Sequence, residues 1–193
     1  TADHGASIGS NGHNKKQQIY NESAKVPFII KYPALFGKAG KDNNFLLNSM
    51  DILPTMMGLS GLPVPADFDG EDITAILLGK KPDNRDAALV ACIQPFGEWR
   101  RGSGGREYRG LITKRYTYAR DLDGEWMLFD NLIDPYQMNN LKGRKEHKMI
   151  AQKLNKMLSA ELGRLNDDFA KGQTHLDRCQ IKVDDNGTVP YTK

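Results

Sequence analysis

Tyr108-Arg109-Gly110-Leu111-Ile112-Thr113, then Tyr116-Thr117-Tyr118-Ala119-Arg120, then Trp126-Met127-Leu128-Phe129: three β-rich runs stand in a row. Their spacing decides the fold. Lys114-Arg115 and residues 121–125 are links short enough for antiparallel hairpins. Ala87-Ala88-Leu89-Val90-Ala91-Cys92-Ile93 supplies a fourth strand upstream. Downstream, Ile150, Leu154, Met157, Leu158, Leu162, Leu165 and Phe169 recur at three- and four-residue steps, which makes 144–169 an amphipathic helix. Such a stripe needs an apolar floor, and the sheet before it offers one. Residues 87–193 therefore read as an α+β subdomain, a four-stranded antiparallel sheet packed on a long helix, with an extended tail from 170.

Working back toward the amino end, Phe96 to Glu107 is a longer glycine-rich loop that carries Trp99. It is a candidate lid or substrate loop. Asp51 before Ile52-Leu53-Pro54 marks a helix start, with Gly61 and Pro63 ending it. Residues 73–78 allow one helical turn. Val26 to Tyr32 reads as a short buried strand closed by Pro33, and Phe45 to Met50 as a second strand. Residues 1–25 are polar and rich in Gly, a loop composition.

Composition removes several classes of function. The 193 residues hold 27 Lys and Arg against 24 Asp and Glu, a net charge of +3 with no isolated basic block. Nothing there argues for a nucleic-acid partner. No apolar run reaches the roughly 18 residues of a membrane span. Cys92 and Cys179 have no metal or redox spacing. The chain opens on Thr1-Ala2-Asp3-His4-Gly5, without Met or a leader, so the expectation is a piece of a longer protein.

Chemistry concentrates at that opening. Asp3 and His4 are both metal ligands, and Gly5 lets backbone approach closely. Taken alone, the pair also fits an ordinary surface turn. Lys16 offers a compact charge for an oxyanion, or simply a solvated neighbour of Lys15. Asn11 and His13 lie on the same loop and can donate hydrogen bonds.

Together the segments say more. Thr1-Ala2-Asp3-His4-Gly5, Gly9-Ser10-Asn11-Gly12, Lys16-Gln17, Tyr20-Asn21-Glu22-Ser23 and Val26-Pro27-Phe28-Ile29-Ile30 resemble the second half of a sulfatase catalytic domain, in the alkaline-phosphatase-like superfamily. Asp51 to Thr55, Gly70-Glu71-Asp72, Leu77-Leu78-Gly79, Arg115 to Tyr118, Leu128 to Asn131, Asp134-Pro135 and Asn139 to Leu141 continue the resemblance in order. It covers about residues 1–165.

The resemblance implies an α/β fold in which residues 1–86 complete the catalytic domain. It implies a metal-dependent sulfuric ester hydrolase acting on a sulfated sugar. Asp3 and His4 would be metal ligands, the divalent ion being usually calcium in sulfatases. Lys16 would contact the sulfate group. Asn11 and His13, as donors on the same loop, and Trp99, on the loop from Phe96 to Glu107, are the candidate substrate contacts from the residues themselves. The family nucleophile, a formylglycine made from Cys or Ser, would lie upstream, since neither Cys here stands in its motif. This chain alone is then expected to be inactive. The implied location is periplasmic, extracellular or lysosomal. Two rivals share these residues: a phosphodiesterase or phosphonate hydrolase of the superfamily, and a non-catalytic module that binds sulfated glycans.

Overall fold

The computed structural model describes residues 1–191. In chain order the helices are α1 (Asn21–Ala24), α2 (Pro33–Phe36), α3 (Ile52–Leu59), α4 (Thr74–Leu77), α5 (Lys148–Arg164) and α6 (Gly172–Arg178). The strands are β1 (Ala87–Cys92), β2 (Tyr108–Thr113), β3 (Tyr116–Asp121) and β4 (Gly124–Asp130), adjacent in that order in one sheet. The chain forms two compact units. Pro27–Ala88, with Thr1, make one, and Ala2–Val26 with Leu89 onward make the other. Packing thus groups the glycine-rich opening with the sheet.

In the sheet unit, β2–β3 and β3–β4 pair antiparallel, with Leu111 opposite Tyr118 and Tyr118 opposite Leu128. Ala119 faces Met127 but Arg120 faces Glu125, which leaves Trp126 as the extra residue of a β-bulge. The bulge brings Trp126 against Tyr108, with ring centroids 5.3 Å apart. Tyr108, Ile112, Ala119, Met127 and Phe129 form one core, joined by Cys92, Trp99 and Ile19. The alternate residues Tyr118 and Arg120 face α5, where both bond Asn155. Ala151, Leu154, Leu158 and Leu162 are the buried stripe of that helix. One face of the sheet therefore carries α5, and the other carries the segment around Ile19.

Three expectations change. α5 is shorter than 144–169: a 3-10 turn holds 145–147, and beyond Arg164 the left-handed Asn166 and Phe169 break the helix. The turn is held by Arg109, fully buried, whose guanidinium bonds the Asp167 carboxylate and stacks 4.7 Å over the Phe169 ring. Nor is the tail wholly extended, since it contains α6, tied down where the Gly172 amide donates to Glu107 at 2.6 Å. Val26–Tyr32 and Phe45–Met50 form no strand. Proline bounds the first run, no described strand lies alongside either, and Ile29 is 84% exposed.

In the other unit Asp51 stands at the start of α3, as its position before the helix implies. Its carboxylate works elsewhere. It accepts the amides of Asn48 and Glu71 and one Arg85 nitrogen, each at 2.9 Å.

Two acids, Glu107 buried and Asp167 partly so, tie the sheet unit to its carboxyl end. Burial pushes Glu107 up, but the Arg101 guanidinium and the Gly172 amide outweigh it and hold the carboxyl below its usual range. Asp167 behaves alike, with Arg109 and the Phe169 amide overcoming burial. Depressed carboxyl pKa values give stability that is complete above the unfolded-state value, about 4, and lost as pH falls through the folded values. Melting temperature is therefore expected to drop below about pH 4, and Glu107→Gln is expected to flatten that drop. A variant whose acid profile equals the wild type would exclude Glu107 as a contributor.

Candidate functional site

The loop from Gly5 to Lys16 closes on itself through two backbone bonds. Ser7 donates to the Lys15 carbonyl at 2.7 Å, and Gly9 donates to His13 at 2.9 Å. A 3-10 turn over Ser10–Gly12 makes the tip. Folding back in this way brings residues twelve apart together: Lys16 Nζ lies 2.8 Å from His4 Nε2. Asp3 Oδ2 lies 3.3 Å from the same nitrogen. Asp3, His4 and Lys16 thus converge on one point at a partly exposed surface.

The histidine's second nitrogen explains how it is presented. His4 Nδ1 sits 2.7 Å from the Gly5 carbonyl, which can only accept. The proton therefore belongs on Nδ1, and the Nε2 lone pair points outward beside the Asp3 carboxylate. A lone pair and a carboxylate oxygen side by side form a cation site, and the Lys16 ammonium stands at it. Two ligands at right angles around a calcium ion are about 3.4 Å apart, close to the 3.3 Å found. The donor set fits one divalent ion, with further ligands required to fill its shell.

The surroundings separate Lys16 from Lys15. Lys15 reaches Glu98 at 2.5 Å and pins the loop to the segment after β1. Lys16 forms no ion pair with a carboxylate among the described residues and turns to His4.

His13 lies elsewhere. Its ring packs 5.6 Å from Tyr20 and edge-on to Trp99 at 6.0 Å. Burial lowers its pKa, so it is neutral at pH 7. Asn11 is at the loop tip in a left-handed conformation (φ 54°), its amide nitrogen buried without a partner. Trp99, expected as a substrate contact on an open loop, is instead a core residue, 8% exposed and stacked on Trp126. Two 3-10 turns and a bond from the Gly97 amide to Asn186 hold its loop down.

Three residues outside the sequence reading position the site. Ile19, fully buried, lies over Gly110, where an added Cβ would come within 2.3 Å of its Cδ1. The Tyr108 hydroxyl donates to the Gln17 carbonyl at 3.1 Å, and burial raises its pKa strongly, so it stays a donor. Gln137, 2% exposed, accepts the Asn21 amide at 2.7 Å while its own amide bonds Thr117 and Asn131. A glycine flanked by β-formers was the one sequence signal available, since a strand-interior Gly marks close approach.

Asp167, Asp168 and His175 also cluster within ligand distance of one another. Each acid there is already engaged, Asp167 by Arg109 and Asp168 by Arg178, so the group reads as an ion-pair network.

Comparison with known proteins bears on this geometry. Residues 9–163 match the family described as "N-sulphoglucosamine sulphohydrolase, C-terminal". The chain belongs to this sulfatase family. An ulvan-active sulfatase of Formosa agariphila is 36% identical over 99% of this chain and 37% of its own length. An N-acetylglucosamine-6-O-sulfatase of Bacteroides thetaiotaomicron is 30% identical over 82% of this chain and 28% of its own. The solved structure of a 2-O GAG sulfatase superposes with a TM-score of 0.74 at 26% identity, covering 95% of this chain and 37% of that one. This sulfatase chain thus spans 28% to 37% of the length of these relatives. The family is one of hydrolases that use a divalent metal, in an alkaline-phosphatase-like α/β fold.

At Gly5, beside Asp3 and His4, the backbone fit is tight. Its amide donates to the Ser23 carbonyl at 2.9 Å, and a Cβ there would lie 1.9 Å from the Glu22 carbonyl oxygen. Gly5→Ala is expected to cost about 1–3 kcal/mol, the usual penalty for overpacking. Gly102→Ala, in open space, is the control and is expected to change stability by less than about 0.5 kcal/mol. Equal unfolding free energies for the two variants would contradict the close approach.

Proposed function

We propose that this chain is the carboxy-terminal portion of a sulfuric ester hydrolase acting on a sulfated carbohydrate outside the cytoplasm. Asp3 and His4 hold a divalent ion, calcium, together with ligands from the upstream part of the protein. Lys16 contacts the sulfate group. The observation that carries this reading is the convergence of Asp3 Oδ2 and Lys16 Nζ on His4 Nε2. The names of the two curated relatives, each a carbohydrate-directed sulfatase, support the substrate class.

Each residue has a physical task. Hydrolysis of a sulfate ester shifts negative charge among the sulfuryl oxygens and onto the leaving oxygen. Groups that oppose this charge help most when they are fixed beforehand. A divalent ion supplies concentrated positive charge in such a site. The Nδ1 contact with Gly5 already sets the imidazole, so Asp3 and His4 face the ion once the Lys16 ammonium gives up its place on Nε2 to it. Lys16 reaches the same point from the opposite limb of the loop and places its ammonium against sulfate oxygen. Neutral His13, held by Tyr20 and Trp99, offers a ring N–H to the substrate side. Trp99 serves by keeping that ring in place.

Substitution in the full-length protein tests this. Lys16→Ala is expected to lower kcat on an aryl or sugar sulfate by about 10²–10³, the loss seen when one preorganised oxyanion donor is removed. His4→Ala is expected to raise the calcium concentration needed for half-maximal activity at least tenfold. Unchanged calcium dependence would remove His4 from the ligand set. The present chain alone is expected to release no sulfate from either substrate, and measurable turnover would overturn the assignment of the nucleophile to the upstream part. Faster hydrolysis of a matched phosphate ester than of the sulfate would favour the superfamily's phosphoryl chemistry instead.

A further inference from the structure

A second concavity lies on the α5 face of the sheet, away from the face that seats Ile19. Its volume is about 560 Å³, and its floor is Tyr118, Arg120 and Asn155. The rim carries Arg144, Lys145 and Lys148, all exposed. Elsewhere the arginines of this unit are mostly paired: Arg101, Arg106, Arg109, Arg115, Arg164 and Arg178 each hold a carboxylate. None of the three rim cations has an ion-pair partner among the described residues. Arg120 bonds Asn155 and Ser159 through one terminal nitrogen, while its Nε is buried and unpartnered.

The placement of these charges is unfavourable by itself. Lys148 opens a 17-residue helix whose first turn holds no acid and whose N-cap makes no side-chain bond, and Lys145 stands in the 3-10 turn just before it, beside the exposed Glu146. Cations there oppose the positive end of the helix dipole. The one acid lining the cavity, Glu125, accepts the Gly143 amide at 3.2 Å. Four cationic side chains against one engaged carboxylate leave a net positive cavity that an incoming anion would neutralise.

We infer that this cavity binds an anionic unit of a sulfated polysaccharide, with sulfate as the recognised group, at a site separate from the catalytic corner. The size suits a sugar ring. The rim cations supply donors for sulfate oxygens, the Arg120 guanidinium adds positive charge from the floor, and Tyr118 lies at the base. The choice of polysaccharide rests on the proposed function, while the demand for an anion rests on the cavity alone. A site of this kind tethers a polymer and raises its local concentration without touching the bond that is cleaved.

Affinity of the full-length protein for heparin, measured by isothermal titration across a salt series, is the test. The variant is Arg144→Gln/Lys145→Gln/Lys148→Gln, whose exposed positions leave the core untouched. Its Kd is expected to rise about tenfold or more at low salt, with the slope of log Kd against log salt smaller by about 2 to 3. Activity on a monosaccharide sulfate is expected to stay within twofold of wild type. Hyaluronan, which has uronates but no sulfate, is expected to bind at least tenfold more weakly than heparin. A heparin Kd within twofold of wild type overturns the proposal, and so does equal affinity for hyaluronan. Arg120→Gln gives a second reading: loss of heparin affinity with unchanged melting temperature supports the site, and unchanged affinity overturns it. Binding needs no turnover, so a protein that holds heparin here but cleaves no sulfate ester would fail only the catalytic reading.

Discussion

Everything at the candidate site depends on one seat, that of Ile19 on the bare backbone of Gly110. A strand-interior glycine ordinarily weakens a sheet, because it adds flexibility and packs nothing. Here the missing Cβ makes room for the Ile19 side chain between Ala119 and the neighbouring carbonyl of Tyr118. The segment from Gln17 to Asn21 is then fixed at three levels: an apolar anchor at Ile19, the Tyr108 hydroxyl on one side and Gln137 on the other. Lys16 immediately precedes that anchored stretch. Its ammonium meets His4 because the chain on its carboxyl side cannot move. The metal-side residues gain from the same arrangement, since Gly5 bonds Ser23 only two residues beyond Asn21.

Charge pairing follows the same logic. Acids shielded from water are matched by arginines, Glu107 by nearby Arg101 and the partly buried Asp167 by Arg109 from 58 residues away. A buried carboxylate without such a partner would take up a proton, and the segment it holds would loosen. At the corner of Asp3, His4 and Lys16 the pairing is incomplete. Lys15 is matched to Glu98, but Lys16 faces an uncharged nitrogen, and Asp3 is largely open to water.

The legibility of the sequence varied with the range of the interaction that fixed each element. The hairpins of β2, β3 and β4 follow from local alternation and short links, and the structure has them where the pattern puts them. The apolar stripe of α5 was equally local, but its end was not, because Arg109 lies 58 residues from Asp167 and no periodicity encodes that bond. Val26–Tyr32 misled for the opposite reason: strand-like composition needs a neighbouring strand, and none of the described strands lies beside it. The site was half legible. Asp3, His4 and Lys16 carry ligand chemistry that can be read at once, whereas Gln137 and Tyr108 reveal their part only through contacts more than 90 residues away. Trp99 shows the hazard of judging a residue by its loop, since a glycine-rich segment can still turn its largest side chain inward.

The bulge in β4 links the two faces of the sheet. By giving β4 one residue more than β3, it directs Trp126 to the face of Tyr108 and Trp99, against the wall that supports His13. The same irregularity sets Glu125 opposite Arg120 on the α5 side, where the cationic cavity opens. A regular ladder would shift that alternation by one residue and turn Trp126 toward the helix. The core that holds Trp126 and the charge balance of the far cavity are thus consequences of a single extra residue. A change in the register of β4 cannot alter one face while sparing the other.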